Sequence, residues 1–162
     1  MTIEELLRRY AAGERNFSGV DLRYGQELSV AILKGIDFSR AFLEGINIIG
    51  VDLSYSNLSQ GRIDVCRLED VNLTGANLRG ASLIEASISR VNLTGADLTG
   101  AKLADASFRK VNLTGANLTR TRCMRTDIID SNLTNAVIEA INLKEIFFRN
   151  TIMPDGTIRT DD

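Results

Sequence analysis

The chain has 162 residues, an apolar fraction of 44%, a charged fraction of 25% and a formal net charge of −2. That length suits one domain, the composition is that of an ordinary globular protein, and so small a charge leaves no strong field for nucleic acid, a membrane surface or a polycationic partner. Histidine is absent, which removes His-based metal sites, Ser-His and Cys-His nucleophile pairs, and the usual proton shuttle near neutral pH.

The opening "TIEELLRRYAAG" reads as a short helix. Thr2 and Glu5 have the spacing of a capping box, Ile3, Leu6, Leu7 and Tyr10 form one apolar stripe, and Gly13 is a stop signal. Acidic residues come at once and no apolar run follows, so no secretory leader is expected, and no stretch of eighteen apolar residues occurs anywhere to span a bilayer. Phe17 and Leu22 are five apart, whereas Leu22 and Leu28 are six apart. The string "RYGQE" (residues 23–27) therefore carries one extra residue, read as a bulge or small loop at Gly25.

From Leu28 to Phe148 a large apolar residue, or Cys123, stands at every fifth position through twenty-five consecutive pentapeptides. The nearly identical strings starting at Val71, Val91 and Val111 add a longer period of twenty. Neither regular element accepts a period of five. On a helix it advances about 140° beyond a full turn and smears the column around every face; on a flat strand it flips alternate centres to opposite sides. Residues two apart do share a strand face, so each centre and the small residue two before it can point inward together. The chain must then turn before the next five, and Gly75, Gly80, Gly95, Gly100 and Gly115 stand where that corner falls. Four pentapeptides thus make one coil. The predicted core is a stack of rungs: Leu53, Leu73, Leu93, Leu113 and Leu133 in one column, Leu78, Leu98 and Leu118 in the next, then Leu83 and Leu103, and Phe108.

The strings "ANLRG", "ADLTG", "ANLTR", "VNLTG", "SNLSQ" and "SNLTN" resemble the A(D/N)LXX unit of the pentapeptide repeat family. The helix-then-repeat opening and the ending "TIMPDGTIR" are similar to cyanobacterial members of unassigned function. The resemblance implies an all-β fold, a right-handed quadrilateral β-helix, here with a short N-terminal capping α-helix. Residues 1–14 are predicted to be that capping helix, 15–153 the solenoid and 154–162 a C-terminal turn and tail, with residues 160–162 loose. The ends of such a stack expose core and strand edges, so the helix is expected to act as a lid.

Chemistry is sparse along this pattern. Seven N-x-S/T sequons, including Asn72, Asn92 and Asn112, follow from the repeat itself. The inner columns should place Asp52, Asn72, Asn92, Asn112 and Asn132 in one surface ladder. Cys66 and Cys123 fall on inward positions nearly three coils apart, too far for a disulfide. Outward acids such as Asp64, Glu69, Asp70, Glu85 and Asp105 are scattered among Arg and Lys, and a filled solenoid has no cleft in which two carboxylates could converge. No catalytic residue, metal site or cofactor is expected. One asymmetry remains: residues 1–100 carry 10 basic and 13 acidic groups, whereas residues 101–150 carry 8 and 5. Lys102, Arg109, Lys110, Arg122 and Arg125 fall on two neighbouring faces of the later coils and form the candidate interaction patch. Phe42 and Phe147 should face outward near the two ends, either beneath the end segments or as contact surface.

These features predict a non-enzymatic solenoid in the cytoplasm, a scaffold or protein-interaction module with an unknown protein partner, as a monomer or an end-to-end homodimer. The alternative that the family resemblance implies is a duplex-DNA mimic inhibiting type II topoisomerases. It is disfavoured here, because imitation of phosphates needs a row of like charge and this chain is near neutral.

Overall fold

The hydrogen-bond accounting of one pentapeptide shows how the chain turns and stacks. In the computed structural model, which describes residues 1–23 and 25–162, residues 72–76 are representative. Leu73 N–H donates to Asn92 O (2.7 Å) and Gly75 N–H to Thr94 O (2.9 Å), both one coil ahead, while Asn72 N–H donates to Val51 O (3.0 Å), one coil behind. Ala76 N–H returns to Leu73 O (3.0 Å) and closes a turn. The fifth donor, Thr74 N–H, is satisfied by the side chain of Asn72, whose Oδ1 accepts at 3.1 Å. Every N–H of this unit has a partner, so a pentapeptide with Asn or Asp at its second position turns without stranding a donor. The Asn or Asp at the second position serves because its short side-chain acceptor reaches that last N–H.

The turn needs a positive φ at its third residue. Every multiple of five from Val30 to Ala140, and again Asn150, has φ between 45° and 68°. Glycines occupy the expected corners, but sixteen described non-glycine residues take the same left-handed conformation, including the β-branched Val30 and Val65. Gly75 is the corner where glycine is required twice over: a Cβ there would lie 2.8 Å from the ring of Tyr55, which lies against it from the preceding coil.

Three sides of the coil are joined by single parallel bridges, and the fourth is a parallel sheet. Its strands are β1 (Glu27–Ser29), β2 (Asn47–Ile49), β3 (Arg67–Glu69), β4 (Ser87–Ser89), β5 (Ser107–Arg109), β6 (Thr126–Ile129) and β7 (Ile146–Arg149), stacked in chain order. The register is twenty throughout, Leu28 opposite Ile48, Ile48 opposite Leu68, and so on to Ile128 opposite Phe148, which makes six turns of a four-sided parallel β-solenoid. In the first coil the bridges are instead twenty-one apart, Asn16 to Asp37 and Asp21 to Phe42, so the extra residue lies between Leu22 and Leu28. Gly25 has φ 71°; the bulge expected at residues 23–27 falls partly on Tyr24, which is outside the described residues.

The core runs the length of the stack. Leu53, Leu73, Leu93, Leu113, Leu133, Leu78, Leu98, Leu118, Leu83, Leu103 and Phe108 are all buried, and the alanines two positions before many of the centres are buried with them. Ile138 and Leu143 are the exceptions among the twenty-five centres, being only partly covered. Outside, the expected surface ladder forms: Asn72 Nδ2 donates to Asp52 Oδ1 (3.1 Å), and Asn57 Nδ2 to Asp37 Oδ1 (3.1 Å) on the adjacent side.

Helix α1 (Ile3–Ala11) covers the first coil. Leu6 is fully buried, Ile3, Leu7 and Tyr10 pack on the core beside it, and Tyr10 Oη donates to Lys34 O (2.9 Å). Only half of the capping box forms: Thr2 Oγ1 accepts from Glu5 N–H (3.1 Å), but the Glu5 carboxylate turns to Arg8 instead of back to the cap. At the other end the residues expected to be loose are pinned. Strands β8 (Thr151–Ile152) and β9 (Ile158–Arg159) form an antiparallel pair. Asp161 N–H donates to Phe148 O (2.8 Å), Phe148 N–H to Asp161 Oδ2 (2.9 Å) and Asn150 N–H to Thr160 Oγ1 (3.0 Å), which covers the outer edge of β7.

Candidate interaction surface

With the interior filled, chemistry is confined to the outward positions, which repeat on each side every twenty residues. On the side that follows the pentapeptides "ANLRG", "ADLTG" and "ANLTR", the position before each centre runs Arg62, Ser82, Lys102, Arg122 and the position after it runs Asp64, Ile84, Ala104, Met124. Lys102 and Arg122 are bridged neighbours on adjacent coils, both exposed, with no ion pair among the described residues. Arg109 faces out from β5 and Lys110 occupies the next corner, so these two sit on the adjacent side, likewise without an ion pair among the described residues. Arg125 does not join them. It sits one coil after Asp105 at the same corner position and chelates it, Nε to Oδ1 at 2.6 Å and Nη2 to Oδ2 at 2.7 Å, which holds the Asp105 carboxyl below its ordinary range.

Several acids of the earlier coils are paired in the same way. Arg90 binds both Glu69 and Asp70, Arg67 also reaches Glu69, and the hydrogen bonds from Arg90 hold both carboxyls low. Arg62 pairs with the buried Glu44 at 2.7 Å. Asp64 accepts from Ser82 Oγ (2.5 Å) and Ile84 N–H (2.9 Å) and acts as a structural acceptor. Among the described residues no group of three or more His, Cys, Asp or Glu could hold a metal ion, and no helix is long and apolar enough to cross a membrane. Burial pushes the Cys66 thiol up to about 11 and raises that of Cys123; both are free and enclosed. Phe42 is held between the guanidiniums of Arg23 and Arg62, 5.3 and 5.8 Å from its ring centroid, and Phe147 lies beside Arg159 and Asp161 of the C-terminal segment with 37% of its surface open.

One feature of this side is not foreseen from the patch residues. Ile84, Ala104 and Met124 put apolar side chains at the position that Ser54, Thr74, Thr94, Thr114 and Thr134 hold on the side before the "ANLRG" column, and they floor a groove of about 480 Å³ edged by Lys102 and Arg122. Its far wall is Ala140, Asn142 and Glu145. The groove exists because the last coil opens: residues Leu143–Glu145 form a 3-10 turn capped by Asn142, and Asn142 makes no bridge to Arg122. The inward slot at this side holds Ala41, Gly61, Ala81, Ala101 and Thr121 in turn, then Ile141, and the ladder stops at that first large residue. Both signals were present in the residue columns taken every twenty positions.

A family profile described as pentapeptide repeats matches the chain in eight copies, over residues 31–64, 66–105 and 106–144. No curated protein sequence matches it significantly. Among solved structures, a pentapeptide repeat protein from the Arabidopsis thaliana thylakoid lumen is 39% identical over 54% of this chain, with a TM-score of 0.52, and the match spans 61% of that protein's length. HetL from the cyanobacterium Nostoc sp. strain PCC 7120, involved in heterocyst differentiation regulation, is 26% identical over 98% of this chain and 100% of its own, with a TM-score of 0.29. QnrB1, a plasmid-mediated fluoroquinolone resistance protein, is 17% identical over 85% of each chain, with a TM-score of 0.44. The in-phase ladder of five, repeated every twenty residues around a filled interior and matched by the family's own profile over most of its length, makes this chain a member of the pentapeptide repeat family.

Proposed function

We propose that the chain is a non-catalytic interaction module in the cytosol, whose working surface is the quarter of the rod carrying Lys102, Arg109, Lys110 and Arg122. Pentapeptide repeat proteins are in general structural repeat modules, which supports the non-catalytic part. The observation that carries the rest is a local cluster of exposed cations without ion pairs among the described residues. The acids Glu69, Asp70, Asp97 and Asp105 are each matched to an arginine, whereas these four cations in neighbouring coils have no ion pair among the described residues. Exposed charges left unmatched next to apolar surface are what a partner's complementary charges would meet. The same pairing speaks against imitation of duplex DNA, which needs unmatched acids in a row.

The test is an affinity pull-down from native cytosol with the wild-type chain and with Lys102, Arg109, Lys110 and Arg122 reversed to Glu. The captured partner is expected to disappear from the reversed protein, with the circular dichroism spectrum unchanged. A partner retained equally by both would overturn the assignment of this surface.

A further inference from the structure

The opened coil leaves main-chain donors without acceptors. One coil earlier, Leu103 N–H donates to Arg122 O (2.8 Å) and Asp105 N–H to Met124 O (2.9 Å). The equivalent groups, Cys123 N–H and Arg125 N–H, have no acceptor among the described residues, because residues 141–145 have left the ladder for the 3-10 turn. Nor does Asn142 N–H return to Thr121 O, as Arg122 N–H does to Ala101 O (2.9 Å). This side of the sixth coil is therefore an unpaired strand edge, the template on which an extended chain adds itself.

We propose that the groove takes an extended acidic peptide that completes the ladder the last coil abandons. The peptide's carbonyls accept from Cys123 N–H and Arg125 N–H. Side chains two apart on a strand share a face, and Lys102, Ala104, Arg122 and Met124 all stand on the outward face, so among the peptide's outward side chains an acidic one meets Lys102 and Arg122 and the next, two residues on, seats on Ala104 and Met124. Glu145 stands on the opposite wall, with one carboxylate oxygen held by Asn142 Nδ2 at 3.0 Å, and its negative charge leaves the two cations in excess. A nucleic acid is the poorer fit, because the lining has no aromatic ring on which a base could stack. The proposal rests on the reading that this quarter of the rod is the working surface, and adds to it a mode of docking and a partner chemistry.

The probe is an end-blocked peptide about five residues long, Ala-Glu-Ala-Val-Ala, whose glutamate and valine share one face, titrated into isotope-labelled protein and followed by amide chemical shifts. Saturable binding is expected, with the largest shifts at Cys123 and Arg125 and slowed hydrogen exchange at both. The K102E/R122E protein, folded by circular dichroism, should bind about tenfold more weakly. The counterpart with lysine for glutamate should not bind. A peptide N-methylated at alternate residues should not bind either. The proposal is overturned by silent amides at residues 121–125, by equal binding of the lysine peptide, or by an unchanged affinity in the double reversal. If the pull-down partner depends on the cations while the peptide leaves these amides unmoved, the surface stands and the docking mode falls. If the peptide docks but the partner ignores the cations, the docking mode stands and the wider surface falls.

Discussion

At the scale of single residues, the corner position carries most of the local strain. A left-handed conformation costs an L-residue roughly 1–2 kcal/mol, and most for a β-branched one. Val65 takes φ 59° with its side chain 61% exposed, so it contributes little packing to offset that cost. Asn135 holds the equivalent conformation with a side chain suited to it. Val65→Asn is therefore expected to stabilise the protein by about 1 kcal/mol, seen as a melting temperature higher by about 2–4 °C; an unchanged or lower value would contradict the strain argument. Charge acts at this scale too. Hydrogen bonds from Arg23, Arg90 and Arg125 lower the carboxyl groups of Asp21, Glu69, Asp70 and Asp105, that of Asp21 to about 2. A carboxyl lowered on folding stabilises the native state above its unfolded pKa and loses that contribution as pH falls through the folded one. With no histidine to titrate, the melting temperature should be flat from about pH 8 to about pH 5.5 and fall steadily from about pH 4.5 toward pH 2.

At the scale of the element, each pentapeptide is worth what its centre buries. Leu93 lies in mid-stack and is fully enclosed, whereas Leu143 sits on the opened segment and is only partly covered. Leu93→Ala should cost about 2–5 kcal/mol in denaturant titration, the range for emptying a packed site. Leu143→Ala should cost about 1 kcal/mol, because less apolar area returns to water. The five-residue spacing made the inward positions and the four-sided coil legible, since a period that fits neither helix nor strand leaves one solution. The Asp105–Arg125 pairing is legible as well, because both residues hold the same position twenty apart, and it takes Arg125 out of the candidate patch. The 3-10 turn is not. "INLKE" obeys the repeat as well as its predecessors do, and only the bulk of Ile141 in a column of small residues distinguishes it. The order of the tail is hidden for a related reason: Thr160 and Asp161 supply side-chain acceptors that match the N–H spacing of an exposed strand edge, a complementarity invisible until both partners are in place.

At the scale of the molecule, long-range order comes from neighbours in the stack, so stability approximates a sum of coil interfaces. Excising residues 91–110 tests this. The new junction reads "SRVNLTG", identical to the one removed, and every side keeps its register. Ile88 then meets Ile128, and Arg125 comes to lie over Glu85, which replaces the lost Asp105 as its partner. The shortened chain should retain a β-type far-ultraviolet spectrum and a single melting transition at lower temperature, and an unfolded product would refute the additive picture. The constant register of twenty also turns the outer surface into a pegboard. Rows repeat at the strand spacing of about 4.8 Å, and a side chain moved twenty positions along the chain reappears one row up in the same orientation. Recognition features could thus be transplanted or respaced by editing the outward letters that hold no backbone donor, with the second-position Asn and Asp and the left-handed corners left in place.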